Sequence, residues 1–418
     1  MTLLTDPDDI AAKAPKQYKA LLTKRRHRFD TMSDDWKEVY KPSSTIDPTW
    51  FDHLMDKPSH VEWMSAVRST SSTSAPGISG IGYRVIKRAS KNTHDVLRTL
   101  AHICYSHSTI PDQWKLSQLY PIPKPTDWEY NLGQTRPIIL LECIRKLCVK
   151  IITQRLSKIC SDHNILAGPN FMGLKGESTK IPIHTLQNLT EDAHQKKREM
   201  WIALQDMAKA FDSIGMLPLR KSLERIRLPT QATDWIINLF QRRSTQVITA
   251  FGLSQPLIAQ DGINQGEVIL PLLWRIFYDP LLSRIQSDPR LGYTMSSSWR
   301  TSIYSDKIVT MELRCACLAY ADDTIWIGKN KQDLERIIEI SNEFFDLNDI
   351  AINGKKSELI IINPSVPTSD QHVRMGRDNA IVKNNGHSPT RYLGIWLTNN
   401  PSNIHTVSIV RSEIMKFV

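Results

Sequence analysis

Two short apolar runs that each end in carboxylates constrain this chain more than any other feature of its 418 residues. The first, Trp201-Ile-Ala-Leu-Gln-Asp206, reads as a brief buried strand ending in an acid, with Asp212 following in "LQDMAKAFDS". The second, "LAYADDTIWIG" from Leu318 to Gly328, sets Asp322 and Asp323 between two strand-forming runs. A polar pair in that position reads as a hairpin turn, where Asp is favoured. Two-residue hairpin turns prefer Gly or Asn, however, and adjacent like charges repel, so keeping both acids at a strand turn calls for a nearby cation. Turn and metal site both stay open on this stretch alone. If the two acid-terminated strands are neighbours in one sheet, Asp206 stands beside Asp322 and Asp323. Three carboxylates there could hold two Mg²⁺ ions about 3.5–4 Å apart, the arrangement that activates a 3′-hydroxyl and stabilises a leaving pyrophosphate.

The rest of the composition suits a chain that handles a polyanion. The formal charge is +10, from 53 Lys and Arg against 43 Asp and Glu, and 41% hydrophobic residues suffice for a sizeable core. Positive charge gathers in Lys24-Arg-Arg-His-Arg28, Lys196-Lys-Arg198 and Arg242-Arg243, which could follow a phosphate backbone or line solvated helix faces. Six cysteines lack CxxC pairs and a His-rich companion, so no zinc site is expected, and Cys315 and Cys317 read as small buried apolar residues. The acids that follow Leu4 argue against a signal peptide. The most apolar stretch, Val268 to Leu282, contains Arg275 and Asp279 and is too short to span a bilayer. The expectation is an intracellular, reduced, soluble protein with no membrane partner.

Residues 1–74 are polar and end in a Ser/Thr-rich loop. "YPIPKPTDWEYNLGQTRPII" predicts a basic hairpin with Lys124 and Arg136 flanking its loop, and helical spacing follows from Ile144 to Ile165. A helix is expected soon after Met216, a hairpin through Gly252, a Gly-containing loop that leads into a helix with Pro271 at its start, an amphipathic helix around Leu334–Phe345, and a strand from Leu359 to Ile362. Strands and helices mix without strict βαβ alternation, so the expected class is α+β, a sheet covered on one face by helices.

At this point Tyr320-Ala-Asp-Asp323 resembles the YxDD box of reverse transcriptases, and "DMAKAFDS" resembles the carboxylate motif that precedes it. The pattern is most similar to the non-LTR retrotransposon (LINE-like) branch. "IPKP…RPIILLECIRKL" resembles its fingers motif, "NQGEVILPLL" its QG-x-x-x-SP box, and "NGKKSELIIIN" and "RYLGIWL" its two downstream palm motifs. The boxes run in the family's order from Ala75 to about Leu397. The resemblance implies a right-hand polymerase: an extension over 1–74, fingers over 75–200, a palm over 201–397 with inserted fingers elements (reverse transcriptase domain about 105–397), and the start of a truncated thumb over 398–418. The palm would be an antiparallel sheet backed by helices.

The implied activity is RNA-directed DNA synthesis on an RNA template from a DNA primer with dNTPs, using two Mg²⁺ ions for which Mn²⁺ can substitute. By resemblance, Asp206 and Asp322 are the main metal ligands and Asp323 completes the site. Phe211 stacks under the incoming sugar and excludes a 2′-hydroxyl. Gln265 and Gly266 touch the nascent base pair and template, and Lys124 and Arg136 hold the triphosphate. Lys356 fits the general acid for pyrophosphate, and Tyr392, Leu393 and Gly394 fit the primer grip. The resemblance also implies a nuclear location.

The chain departs from the family at Leu270, where a Ser usually precedes the proline, and at Phe171-Met-Gly-Leu174, where many relatives show Gln-x-Gly-Phe. The expectation on extent is a polymerase core cut from a larger element protein, with no endonuclease before it. Two alternatives follow. An RNA-dependent RNA polymerase would carry an acid at position 211, where this chain has Phe. An inactive thumbless remnant would only bind nucleic acid.

Overall fold

Strands that read as continuous apolar runs have no solvent-facing side, so a sheet built from them has to be covered on both faces. The computed structural model describes residues 5–19, 22–125, 129–207, 210–263, 265–300, 307–386, 388–399 and 404–415. The chain forms two compact units that interleave along the sequence, residues 1–166 with 209–277, and 167–208 with 278–418.

In the first unit, the predicted hairpin forms from Leu116–Pro123 and Thr135–Leu140, antiparallel, with Ile122 opposite Arg136. The strand Arg243–Thr249 joins it in parallel, Leu116 opposite Ser244, and the short strands Gly252–Leu253 and Leu257–Ala259 complete the sheet. The period-2 alternation buries Leu119, Ile139 and Val247 against Ala14 and Tyr18 of the helix Pro7–Lys19. The Tyr18 hydroxyl is hydrogen bonded to Thr135 Oγ1 at 2.8 Å, which ties the N-terminal helix to the hairpin. The same alternation puts Tyr120, Ile122, Lys124 and Arg136 on the opposite, exposed side. Beyond the hairpin, the helix Cys143–Asp162 buries Leu147, Val149, Ile151, Ile152 and Leu156.

In the second unit, four antiparallel strands run in the order Glu358–Ile362, Met200–Gln205, Asp323–Gly328, Cys317–Tyr320. Met200 and Ile202 pack with Ile325, Ile327, Ile360 and Ile362 against Leu186, Leu189 and Ala193 of the helix Lys180–Gln195. The helix Lys331–Leu347 packs on the same strands. Its Ser341 hydroxyl and the Trp326 indole N–H both donate to Gln205 Oε1 at 3.0 Å, from the face that alternates with Ile202. Helices therefore cover both faces, a correction to the one-sided cover expected from the sequence. Asn330 caps the second helix, its side chain accepting the Asp333 N–H at 2.9 Å.

Candidate active site

The antiparallel register brings the two acid-terminated strands together in the second unit. Gln205 pairs with Thr324 as the last pair of that ladder, so Asp206 and Asp323 adjoin it at the same end of the two strands. Strand alternation places Asp206 on the side of Ile202 and Leu204, and Asp323 on the side of Ile325 and Ile327. Asp322 lies in the hairpin turn between Tyr320 and Asp323, which pair with each other. The turn is closed by Ala321 at φ 58°, in the left-handed region, so Asp322 does lie in a hairpin turn, as the turn reading has it.

Each acid is held by its backbone. The Asp206 N–H donates to Ser357 Oγ at 3.2 Å, and its carbonyl accepts the Asn353 N–H at 2.9 Å. The loop carrying Lys356 is thereby fastened to the end of the strand, and Lys356 itself is exposed. On the hairpin, Thr324 Oγ1 is hydrogen bonded to Tyr278 Oη at 3.1 Å and lies 3.2 Å from the Asp322 carbonyl. Asn170 grips Ala321 from the other side, donating to its carbonyl at 3.2 Å and accepting its N–H at 3.3 Å. Ser357, Asn353, Asn170 and Tyr278 went unnoticed in the sequence. Only the placement of Asn353 and Ser357 in the "NGKKSELIIIN" box carried a signal.

Electrostatics mark the cluster as short of positive charge. Burial raises the Asp322 carboxyl above the ordinary range, and Asp206 adds to the shift. Burial, then Asp322 and Asp206, push Asp323 up to about 6. Neighbouring carboxylates that raise one another in this way favour a bound cation, and three hard oxygen donors fit Mg²⁺ or Mn²⁺. Among the described residues no three ligating side chains are gathered tightly enough to enclose an ion, so the cluster is not a preformed cage.

Tyr392 also borders the cluster. It ends the strand Thr390–Tyr392, buried beside Ile325 and Ile360, and Leu393 and Gly394 turn at φ 47° and 90° into Ile395–Leu397. Burial and then Asp323 raise its phenol, and among the described residues its hydroxyl has no hydrogen-bond partner.

The other predicted residues belong to the first unit. Lys124 and Arg136 are exposed on one side of the hairpin, whose loop is narrowed by the Lys124 N–H donating to the Gln134 carbonyl at 2.9 Å. Phe211 is half-buried, edge-on to Trp274 with ring centroids 5.4 Å apart. Gln265 Nε2 donates to Asp212 Oδ2 at 3.0 Å, and its carbonyl accepts the Ile139 N–H at 2.8 Å. Gly266 sits at φ 121°, where an added Cβ would lie 2.7 Å from the Ile139 carbonyl oxygen, so the backbone it admits is the protein's own. Glu267 is buried and paired with Arg145. The basic runs are partly structural. Arg243 is 1% exposed, with its guanidinium on the carbonyls of Phe240, Asp261 and Gly262, and Arg25 donates to the Asp212 carbonyl at 2.8 Å. Among the described residues no helix is long and apolar enough to cross a membrane.

Comparison with known proteins agrees with this geometry. Residues 122–397 match the family described as reverse transcriptase (RNA-dependent DNA polymerase). The chain is 24% identical over 327 residues to the Pol polyprotein of the type-1 retrotransposable element R2 of Popillia japonica, covering 77% of this chain and 42% of that protein. It is 27% identical over 222 residues to the probable RNA-directed DNA polymerase from transposon BS of Drosophila melanogaster, covering 53% and 24%. To the Pol polyprotein of element R2DM of the same fly it is 21% identical over 329 residues, covering 77% and 29%. The chain thus spans less than half the length of these relatives. With the family matched over more than half of its residues, the chain belongs to the reverse transcriptase (RNA-dependent DNA polymerase) family, in its non-LTR retrotransposon branch.

Proposed function

We propose that this chain is the polymerase core of a non-LTR retrotransposon protein and extends a DNA primer on an RNA template by nucleotidyl transfer from dNTPs. One observation carries the reading: the strand register brings Asp206 and Asp323 to the same end of two paired strands, with Asp322 in the adjoining turn. Asp206, Asp322 and Asp323 would hold two divalent ions, which when bound supply Lewis acidity to the primer 3′-hydroxyl and the leaving pyrophosphate. The remaining roles belong to side chains. Lys124 and Arg136, exposed and without an ion pair among the described residues, bind the triphosphate. Phe211 rejects a ribose 2′-hydroxyl, and Gln265 and Gly266 meet the nascent base pair and template. Lys356 Nζ gives a proton to the departing pyrophosphate, and Tyr392, Leu393 and Gly394 steady the primer end. In this reading residues 75–200 are the fingers and 201–397 the palm with inserted fingers elements, with the thumb beginning after residue 397.

The test is primer extension on poly(rA)/oligo(dT) with dTTP or UTP, with and without Mg²⁺. Extension with dTTP that needs Mg²⁺ is the expected result. Preference for UTP would favour RNA synthesis, and a folded chain that binds the duplex without extending it would be a binding remnant.

A further inference from the structure

The Tyr320–Asp323 turn depends on a residue taking an unfavourable conformation. Ala321 has φ 58°, a left-handed geometry that L-residues other than Asn and Asp seldom adopt. Two acids that repel each other flank it on one side, and the loss of a single backbone torsion would swing both. Something outside the hairpin has to hold it.

Asn170 is built for that task. Its amide presents a donor and an acceptor in one plane: Nδ2 donates to the Ala321 carbonyl at 3.2 Å, and Oδ1 accepts the Ala321 N–H at 3.3 Å and the Met172 N–H at 3.2 Å, which also orients the amide on its own loop. The side chain is 1% exposed, so water does not compete. Its own backbone is fixed as well. The Ala319 N–H donates to the Pro169 carbonyl and the Phe171 N–H to the Ala319 carbonyl, both at 2.9 Å, adding a short parallel bridge to the edge strand of the sheet. One residue earlier, the Gly168 N–H donates at 2.7 Å to Oδ1 of Asp279, a carboxylate 1% exposed on the helix Leu270–Ser287. A side chain at Gly168 would meet Leu282 Cβ at 2.6 Å, so this anchor tolerates only glycine. Tyr278, next to Asp279, reaches the other side of the turn through Thr324. Adjacent residues of one helix therefore lead to the turn by two paths, Asp279 through Gly168 and Asn170, and Tyr278 through Thr324.

We propose that Asn170 is a positioning residue for the carboxylate turn: acting through the Ala321 backbone, it sets Asp322 and Asp323 for divalent-ion binding and nucleotidyl transfer. This rests on the polymerase reading above. The full chain is compared as wild type, Asn170→Ala, Ala321→Gly and the double variant. Each is checked for folding by circular dichroism and melting, then assayed by primer extension with dTTP and by Mn²⁺ binding in electron paramagnetic resonance titration. Asn170→Ala should lower kcat about tenfold or more, leave the KM for dTTP within about twofold, and weaken Mn²⁺ binding by several-fold. Glycine takes positive φ freely, so Ala321→Gly in the Asn170→Ala background should recover much of both losses, which general loosening of the fold would not allow.

Wild-type kcat and Mn²⁺ affinity in a folded Asn170→Ala chain would overturn the proposal. Losses that track the melting temperature and are not relieved by Ala321→Gly would overturn it too, leaving Asn170 a plain packing residue. A wild-type chain that binds Mn²⁺ in an Asn170-dependent way but does not extend primers would keep the positioning role and defeat the polymerase reading. A wild type with neither activity defeats both.

Discussion

Replacing Arg145 with Met should cost several kcal/mol of stability in the first unit, and the structure sets the scale. Arg145 and Glu267 are an ion pair 2.5 Å apart, and both side chains are fully buried. Arg145 also donates to the carbonyls of Trp114 at 2.7 Å and Leu239 at 3.1 Å, while Glu267 holds the pair through Oε2 and its Oε1 has no hydrogen-bond partner among the described residues. Removing one member of a buried pair leaves an uncompensated charge, at about 3–5 kcal/mol. For a unit of this size that converts to a fall in Tm of about 6–20 °C, at ~2–4 °C per kcal/mol. Removing both charges is different in kind. Arg145→Met with Glu267→Leu takes away the charge and its unpaid desolvation, and should return to within ~1–2 kcal/mol of wild type. Thermal melts and urea titrations of the two variants decide the matter. A loss below ~1 kcal/mol in Arg145→Met would refute the buried pair. So would a double variant no more stable than the single. Because Glu267 adjoins Gln265 and Gly266, the single variant should also slow primer extension at temperatures where it remains folded.

Three further outcomes follow. Gly266→Ala puts a Cβ 2.7 Å from the Ile139 carbonyl at φ 121°, and should cost about 1–3 kcal/mol in urea unfolding; wild-type stability would mean the loop is not held as described. Asp323→Asn should raise the ion-free melting temperature at pH 7.5 and leave it nearly unchanged at pH 4. Folding lifts that carboxyl from 3.8 to about 6, so its stabilising contribution is full below the lower value and lost as pH rises through the upper. A lower melting temperature at pH 7.5 would reverse the sign and sink the argument. Phe211→Ala should raise incorporation of UTP relative to dTTP by about tenfold or more, with melting as the control for its lost contact on Trp274; an unchanged ratio would remove Phe211 from sugar selection.

What the sequence made legible was local in form. The apolar runs ending at Asp206 and flanking Asp322 were strands, and pairing them placed the three acids at one end of a sheet. Helical spacing found Lys331–Leu347 and Cys143–Asp162 to within a few residues. What stayed hidden depends on partners distant along the chain. Asn170 looks like any loop asparagine until its amide meets Ala321, and the Ser357 hydroxyl matters only because the Asp206 N–H reaches it. Arg243 sits in a basic pair that reads as surface, yet three backbone carbonyls draw its guanidinium inside. Cover by the helix Lys180–Gln195 was missed for a related reason: Leu186, Leu189 and Ala193 form a narrow stripe in an otherwise polar segment. Continuous apolar strands should have pointed to a second covering helix.

The most direct test of the account is primer extension by the wild-type chain and by Asp322→Asn, on poly(rA)/oligo(dT) with dTTP and Mg²⁺. The substitution keeps the size of the side chain and removes the charge that a divalent ion needs. The account predicts extension by the wild type and loss of at least about a thousandfold in kcat in the variant, with duplex binding preserved. Extension by Asp322→Asn at a rate near that of the wild type would contradict it.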